Sequence, residues 1–124
     1  MIEKLFVIKS GGTPLVIYPD EDNSTDTILG STLIVIKKLS LKLFKRGVKS
    51  FVIGEKKYYY KSTLKNTVYI IFSFSIDLKK RKIKRIIKSI VKKFKKMYDL
   101  EFIKNWKGKL NYFDDFIEYL KENY

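Results

Sequence analysis

The chain has 124 residues, of which 45% are hydrophobic and 15% aromatic, so it can bury the core of one domain over residues 1–124. It contains no cysteine and no histidine, which excludes disulfides, thiol nucleophiles and histidine-based catalysis. The net charge is +14, and residues 79–98 carry eleven cations and no acid, which points to encounters with polyanions.

The first fifty residues predict two strands and then a helix. Residues 2–8 and 15–18 are apolar and β-prone, and residues 10–14 between them supply the glycines and proline of a hairpin turn. A phosphate cradle is the alternative for this turn, but a strand rather than a helix follows it, which favours the hairpin. Asp26 can then cap a helix that runs toward Gly47.

Two apolar residues of this predicted helix fall outside its core face. Ile34 and Leu41 are seven residues apart and project from the opposite side, near Lys38. A helix lying on a sheet would leave both in water, so we expect a protein interface there, with Val52 on the next strand joining it. The alternatives are that the C-terminal segment of the chain covers them or that each is tolerated singly on the surface.

Three further strands are predicted over residues 49–53, 57–62 and 67–76. The run Val68–Phe74 is apolar on both faces apart from Ser73, which is typical of a central strand covered by helices. The three strands form a meander in this prediction.

A long helix over residues 79–98 follows, with an apolar stripe at helical spacing. A last helix begins after Asn111 as its N-cap, with Asp114 and Asp115 in the first turn. The predicted fold class is therefore α+β, a five-stranded antiparallel sheet with helices in the order β-β-α-β-β-β-α-α.

The long helix carries cations on the whole face opposite its stripe. Many of them stand four residues apart, as Lys84 and Lys88 do, and repel one another. An anionic partner would relieve this repulsion, whereas a merely solvated face is the alternative. The residues expected to bind an anion or a membrane are Arg81, Lys84, Arg85, Lys88, Lys92, Lys95 and Lys96. Since the helix offers no exposed aromatic ring for base stacking, acids of lipid or protein are favoured over nucleic acid.

The element order and certain residues together resemble the longin-like domains, which are related to adaptor small chains, SNARE longin domains and archaeal proteins. The matching pieces run through nearly the whole chain: Leu5-Phe6-Val7-Ile8 with Gly11-Gly12 and Pro14-Leu15, Ile28-Leu29-Gly30-Ser31, Tyr58-Tyr59-Tyr60, Val68 to Phe74, and Phe94, Tyr98, Leu100, Trp106, Gly108, Phe113 and Phe116. The sequence departs from the SNAREs in lacking a downstream coiled-coil segment and a membrane anchor, so we do not expect a role in membrane fusion.

The resemblance implies a non-enzymatic adaptor or scaffold without a cofactor. It also implies a homodimer, or a heterodimer with a longin or roadblock domain, formed through the first helix and third strand, and a small Ras-like GTPase or a trafficking component as partner. The acidic residues 20–26 lack the spacing of a calcium loop, so no metal is expected. No apolar run reaches the roughly 20 residues of a membrane span, and we expect a cytoplasmic chain that is peripheral at a membrane if its basic helix binds lipid.

Overall fold

The structure is a computed structural model, and it describes residues 2–19, 34, 50–53, 56–75, 77–108 and 110–124. The strands are β1 (Ile2–Lys9), β2 (Pro14–Tyr18), β3 (Ser50–Ile53), β4 (Lys56–Thr63) and β5 (Val68–Phe74). Four of them form the body of an antiparallel sheet in the order β2-β1-β5-β4, and the four-residue β3 extends it beside β4. After β5 come α1 (Lys80–Met97), α2 (Leu100–Asn105), a 3-10 helix (Leu110–Phe113) and α3 (Asp114–Asn123).

The predicted five-stranded β-β-α-β-β-β-α-α fold is wrong in two respects. The body of the sheet has four strands, and the fifth, β3, is a short strand at its edge. In the described part of the chain, three α-helices follow β5 rather than the two predicted. The missing helix is α2, whose six residues are too short to show a repeating apolar stripe. Its local cue is Asp99, whose Oδ1 accepts a hydrogen bond of 2.7 Å from the backbone N–H of Phe102. The architecture is a mixed α+β fold.

The last helix also begins differently from the prediction. Asn111 lies within the 3-10 helix and does not cap α3, which starts after Phe113 without a side-chain cap. Asp114 and Asp115 do occupy the first turn, as predicted. The 3-10 turn brings Phe113 into the core, where its side chain is fully buried.

Two apolar layers enclose the sheet. All seven residues of β5 are buried, and alternate β1 residues enter opposite layers. Leu5 and Val7 meet the helical layer, in which Phe94 of α1 and Phe116 of α3 pack together. Phe6 and Ile8 lie on the other side. A strand buried on both faces explains the continuous apolar run of β5.

The helices cover the sheet unevenly among the described residues. Helix α1 contacts β4 and β5, while the 3-10 helix contacts β2 at the other end of the sheet. The turn between β1 and β2 closes through backbone hydrogen bonds, with Lys9 N–H donating to the Thr13 carbonyl at 2.9 Å, so the predicted hairpin is confirmed. Helix α1, which carries the cations, thus lies over β4 and β5.

Candidate functional site

Helix α1 presents cations on every side except the one that packs on the sheet. Its buried residues are Ile83, Ile86, Ile90, Val91 and Phe94. All of the predicted anion-binding residues are exposed, as expected for the polar face of an amphipathic helix. They are Arg81, Lys84, Arg85, Lys88, Lys92, Lys95 and Lys96. Eighteen residues at 1.5 Å each give this cationic surface a length of about 27 Å.

One flank of α1 forms a groove with strand β4. The hollow has a volume of about 540 Å³ and is bounded by Lys61 of β4 and by four lysines of α1. Its floor is Ile87, which is half-buried, and Val91. The four helical lysines are Lys84, Lys88, Lys92 and Lys95. The groove therefore combines an apolar floor with a rim of positive charge.

A second hollow of about 530 Å³ lies nearer the start of α1, where Lys80 and Ile83 line it. Its apolar lining includes Val52 of β3, Tyr59 of β4 and Ile83 of α1. Lys80 lies on its helical side, one turn before Lys84 of the first hollow. Both hollows lie against α1 and β4, and the second is also lined by Val52 of β3, Glu3 of β1 and Phe74 of β5. The two are together called the α1–β4 groove below.

The pattern of the strand explains why β4 contributes to both layers. Tyr58 and Tyr60 are buried on the far side of the sheet, and the alternating residues Tyr59 and Lys61 point toward α1. Of these, Tyr59 is half-buried against Phe74, with ring centroids 5.9 Å apart, and Lys61 is exposed. The alternation thus places an aromatic ring in the floor of the groove and a lysine on its rim.

Positive charge dominates the α1–β4 groove. Its lining lysines are Lys56, Lys57, Lys61, Lys80, Lys84, Lys88, Lys92 and Lys95. Among the described lining residues the one acid is Glu3, which pairs with Lys56 at 3.7 Å. Lys57 lies over the ring of Tyr59, with its Nζ 5.4 Å from the centroid. An anion entering the groove would meet several ammonium groups at once.

The opposite flank of α1 is built differently, because α3 packs there. Lys93 Nζ lies 5.3 Å from the centroid of the Tyr119 ring, a cation–π contact that the groove-side lysines of α1 do not make in the described part of the chain. The structure therefore divides the predicted cations and Lys93 into three sets by what they contact. Lys84, Lys88, Lys92 and Lys95 line the groove, Lys93 contacts α3, and Arg81, Arg85 and Lys96 lie outside both contacts.

The predicted protein interface requires a correction at Ile34. Its side chain is only 3% exposed and packs in the layer of Phe6, Ile8 and Ile71 on the far face of the sheet. The prediction assumed one core face for the first helix, yet Ile34 itself covers the sheet. Lys38 and Leu41 lie outside the described residues, as does the acidic stretch of residues 20–26. Val52 is 60% exposed and lines the groove.

Several residues that line the groove were not among the predicted site residues, and the most informative of them are Ile87, Tyr59 and Lys61. Ile87 belongs to the apolar stripe of the helix, but it lies at the margin of that stripe and is only partly buried. Tyr59 and Lys61 gave one local cue, since they alternate with the two buried tyrosines of β4. Their approach to α1 depends on where the helix packs on the sheet, which residue patterns alone do not set.

None of the described helices combines the length and apolar character needed to cross a bilayer. Within the same residues, no group of three or more acidic side chains is arranged to hold a metal ion. Comparison of the sequence with models of protein families and with curated proteins gives no match.

Proposed function

We propose that the chain is a non-enzymatic interaction domain, of adaptor or scaffold type, that binds an acidic surface of a partner protein in the α1–β4 groove. The observation that carries this proposal is the lysine rim around an apolar floor made by Val52, Tyr59 and Ile87. A protein partner can supply carboxylates and aliphatic side chains together, so it matches both parts of the groove.

The shape of the groove favours protein over a membrane or nucleic acid. A flat bilayer would meet the outer cations, such as Arg85 and Lys96, before it reached the recessed Ile87. Single-stranded nucleic acid uses open aromatic faces for stacking, whereas Tyr59 is half-buried with Lys57 over its ring. A recessed apolar floor with only one, partly covered, aromatic ring serves neither ligand well.

The resemblance to longin-like domains adds a class of partner to this proposal. Small Ras-like GTPases and trafficking components are the first proteins to test, and a cytoplasmic location would bring the chain to them. Pairing with a second copy, or with another longin or roadblock domain, remains part of the proposal through Val52 at the edge of the sheet, without Ile34. Val52 is exposed, whereas Ile34 is buried.

The test compares two charge reversals on the same helix. Lys84→Glu with Lys88→Glu changes the groove, and Arg81→Glu with Arg85→Glu changes the outer face by the same net charge. The probe is polyglutamate, and binding is measured by fluorescence anisotropy. We expect the groove variant to bind about tenfold more weakly, which corresponds to about 1.4 kcal/mol, and the outer variant to bind nearly as well as wild type. Equal losses in the two variants would contradict a groove-centred function.

The second candidate function is binding to an anionic membrane surface, and the outward position of Arg81, Arg85 and Lys96 favours it. Flotation with phosphatidylserine vesicles tests it with the same two variants. This function predicts that the outer variant loses vesicle binding. It also predicts that the wild-type chain has a higher affinity for the vesicles than it has for polyglutamate. Binding of a single-stranded RNA, measured by fluorescence anisotropy as for polyglutamate, tests the nucleic-acid alternative.

A further inference from the structure

The α1–β4 groove has the dimensions of a seat for one more helix. Helix α1 lies over β4 and β5, and the face of β3 and outer β4 beyond it carries Val52 and Tyr59. Helices packed side by side on a sheet are about 10 Å apart, which is about two strand spacings. Since α1 contacts β4 and β5, a helix laid beside it would lie along the edge strand β3.

The length of the groove sets the length of its occupant. Lys80 and Lys95 mark its two ends, and the 15 steps between them span about 22 Å of helix. An occupant of about four turns would extend from Val52 to Val91. Its aliphatic residues would recur every three or four positions, so that successive turns contact Val52, Tyr59 and Ile87.

The charges on both sides of the floor define the flanks of that occupant. Lys84, Lys88 and Lys95 stand along α1, whereas Lys57 and Lys61 stand along β4. An aliphatic stripe bordered by Asp or Glu on both sides would pair with the two rows at once. A chain of acids without such a stripe would leave the apolar floor in water.

From this geometry we propose that the groove receives an acidic amphipathic helix of a partner protein, lying alongside α1 and along the edge strand β3. This inference rests on the proposed function and makes it more specific, since it names the secondary structure and the side-chain pattern of the bound segment.

A second copy of this chain does not offer such a helix among its described residues. Helix α3 carries Asp114, Asp115, Glu118 and Glu122, but its apolar residues Phe116 and Leu120 are fully buried in its own core. It would have to unpack before it could present an aliphatic stripe. Since no described helix of a second copy meets these requirements, the occupant that we propose is a segment of a different protein.

Two synthetic peptides of identical composition test the proposal. The first places leucines at helical spacing between flanking glutamates, and the second scrambles the same residues so that no stripe forms. Binding is measured by anisotropy, and helix formation by circular dichroism. We expect the first peptide to bind at least about tenfold more tightly than the second and to gain helicity on binding.

Exposed apolar residues provide the matched variants. Val52→Asp changes the groove floor, and Tyr112→Asp changes an exposed residue elsewhere, with 60% and 48% of the side chains accessible. Because both sites are exposed, both variants should fold, which thermal unfolding checks. We expect Val52→Asp to weaken the striped peptide about tenfold and Tyr112→Asp to leave its affinity unchanged.

The outcomes separate this inference from the broader function. Equal affinity for the two peptides, or no effect of Val52→Asp, would overturn the helical occupant while leaving acid recognition intact. Binding to neither peptide nor polyglutamate would overturn both. A wild-type dimer in light scattering that Val52→Asp dissociates would show that a second copy fills the groove, which also overturns the inference.

Discussion

The ring of Phe94 stands edge-on to the ring of Phe116, with centroids 5.2 Å apart and planes at 81°. Both side chains are fully buried, and the contact fixes α1 against α3. Phe94 thereby sets the rotation of α1 about its axis, on which the direction of the groove lysines of α1 depends.

Loss of this contact should destabilise the whole domain. We expect Phe94→Ala to lower the free energy of unfolding by about 3–5 kcal/mol, because it removes a buried ring and leaves a cavity. Urea unfolding measures the loss. In a double-mutant cycle with Phe116→Ala, the coupling should exceed about 0.5 kcal/mol, and a coupling near zero would contradict the ring contact as the link between the helices.

Ile34 and Val52 should respond oppositely to the same change. Ile34→Glu places a charge in the buried layer of Phe6 and Ile8, and we expect a loss of at least about 3 kcal/mol in unfolding free energy or no folded protein at all. Val52→Glu should cost less than about 1 kcal/mol, because most of that side chain is exposed. A folded Ile34→Glu variant of wild-type stability would restore the outward position that the sequence suggested.

The N-terminus of α1 is a site where one substitution should raise the stability of the domain. Lys79 is its N-cap without a side-chain hydrogen bond, and the first turn contains no acid. Lys79→Asp would supply both a cap and a negative charge at the positive end of the helix, so we expect it to raise the unfolding free energy by about 1 kcal/mol. Lys107→Asp, in an exposed position outside a helix, makes the same charge change and serves as the control. Equal gains in both variants would attribute the effect to net charge.

The turn between β4 and β5 contains three consecutive residues with left-handed backbones. Leu64, Lys65 and Asn66 have φ of 51°, 54° and 62°. This conformation costs an ordinary L-residue about 1–2 kcal/mol, whereas glycine adopts it freely. We therefore expect Lys65→Gly to stabilise the domain by up to about 1 kcal/mol in thermal unfolding. Lys61→Gly, in the middle of β4, is the control and should destabilise it.

Tyr98 should contribute to stability in a manner that depends on pH. Its hydroxyl donates a hydrogen bond of 2.9 Å to the Tyr112 carbonyl, and burial raises its pKa to about 12 from an ordinary value of 10.0. Below pH 10 the phenol is neutral in both states, so its full stabilisation is present. As pH rises from 10 to 12, the unfolded chain ionises first, and that stabilisation is lost.

Tyr98→Phe tests this behaviour. We expect a loss of about 1 kcal/mol at neutral pH and a shallower decline of stability above pH 10. Tyr112→Phe retains the accepting carbonyl and is the matched control, so its alkaline profile should follow wild type. Unfolding by urea at several pH values gives both profiles, and a Tyr98→Phe profile as steep as wild type would assign the alkaline loss to other tyrosines.

Sequence patterns located α1 within one residue at each end because its apolar stripe repeats over five turns. They missed α2, which is too short for a repeat, and they misplaced Ile34 because a helical phase alone does not reveal which surface covers it. The meander of β3, β4 and β5 was predicted and is confirmed by the strand pairing. The sequence pattern does not show that α1 lies over β4 and β5, so its lysines could be predicted as a cationic face but not as the wall of a groove.

Dissolved salt should push the free chain and its complex in opposite directions. The lysines of α1 that stand one turn apart are closer than the Debye length of about 8 Å at physiological ionic strength, so added ions weaken their mutual repulsion and raise the melting temperature of the free chain. The same screening weakens attraction to an acidic helix. At high ionic strength the free domain would therefore have its highest melting temperature and its lowest affinity for the proposed acidic helix.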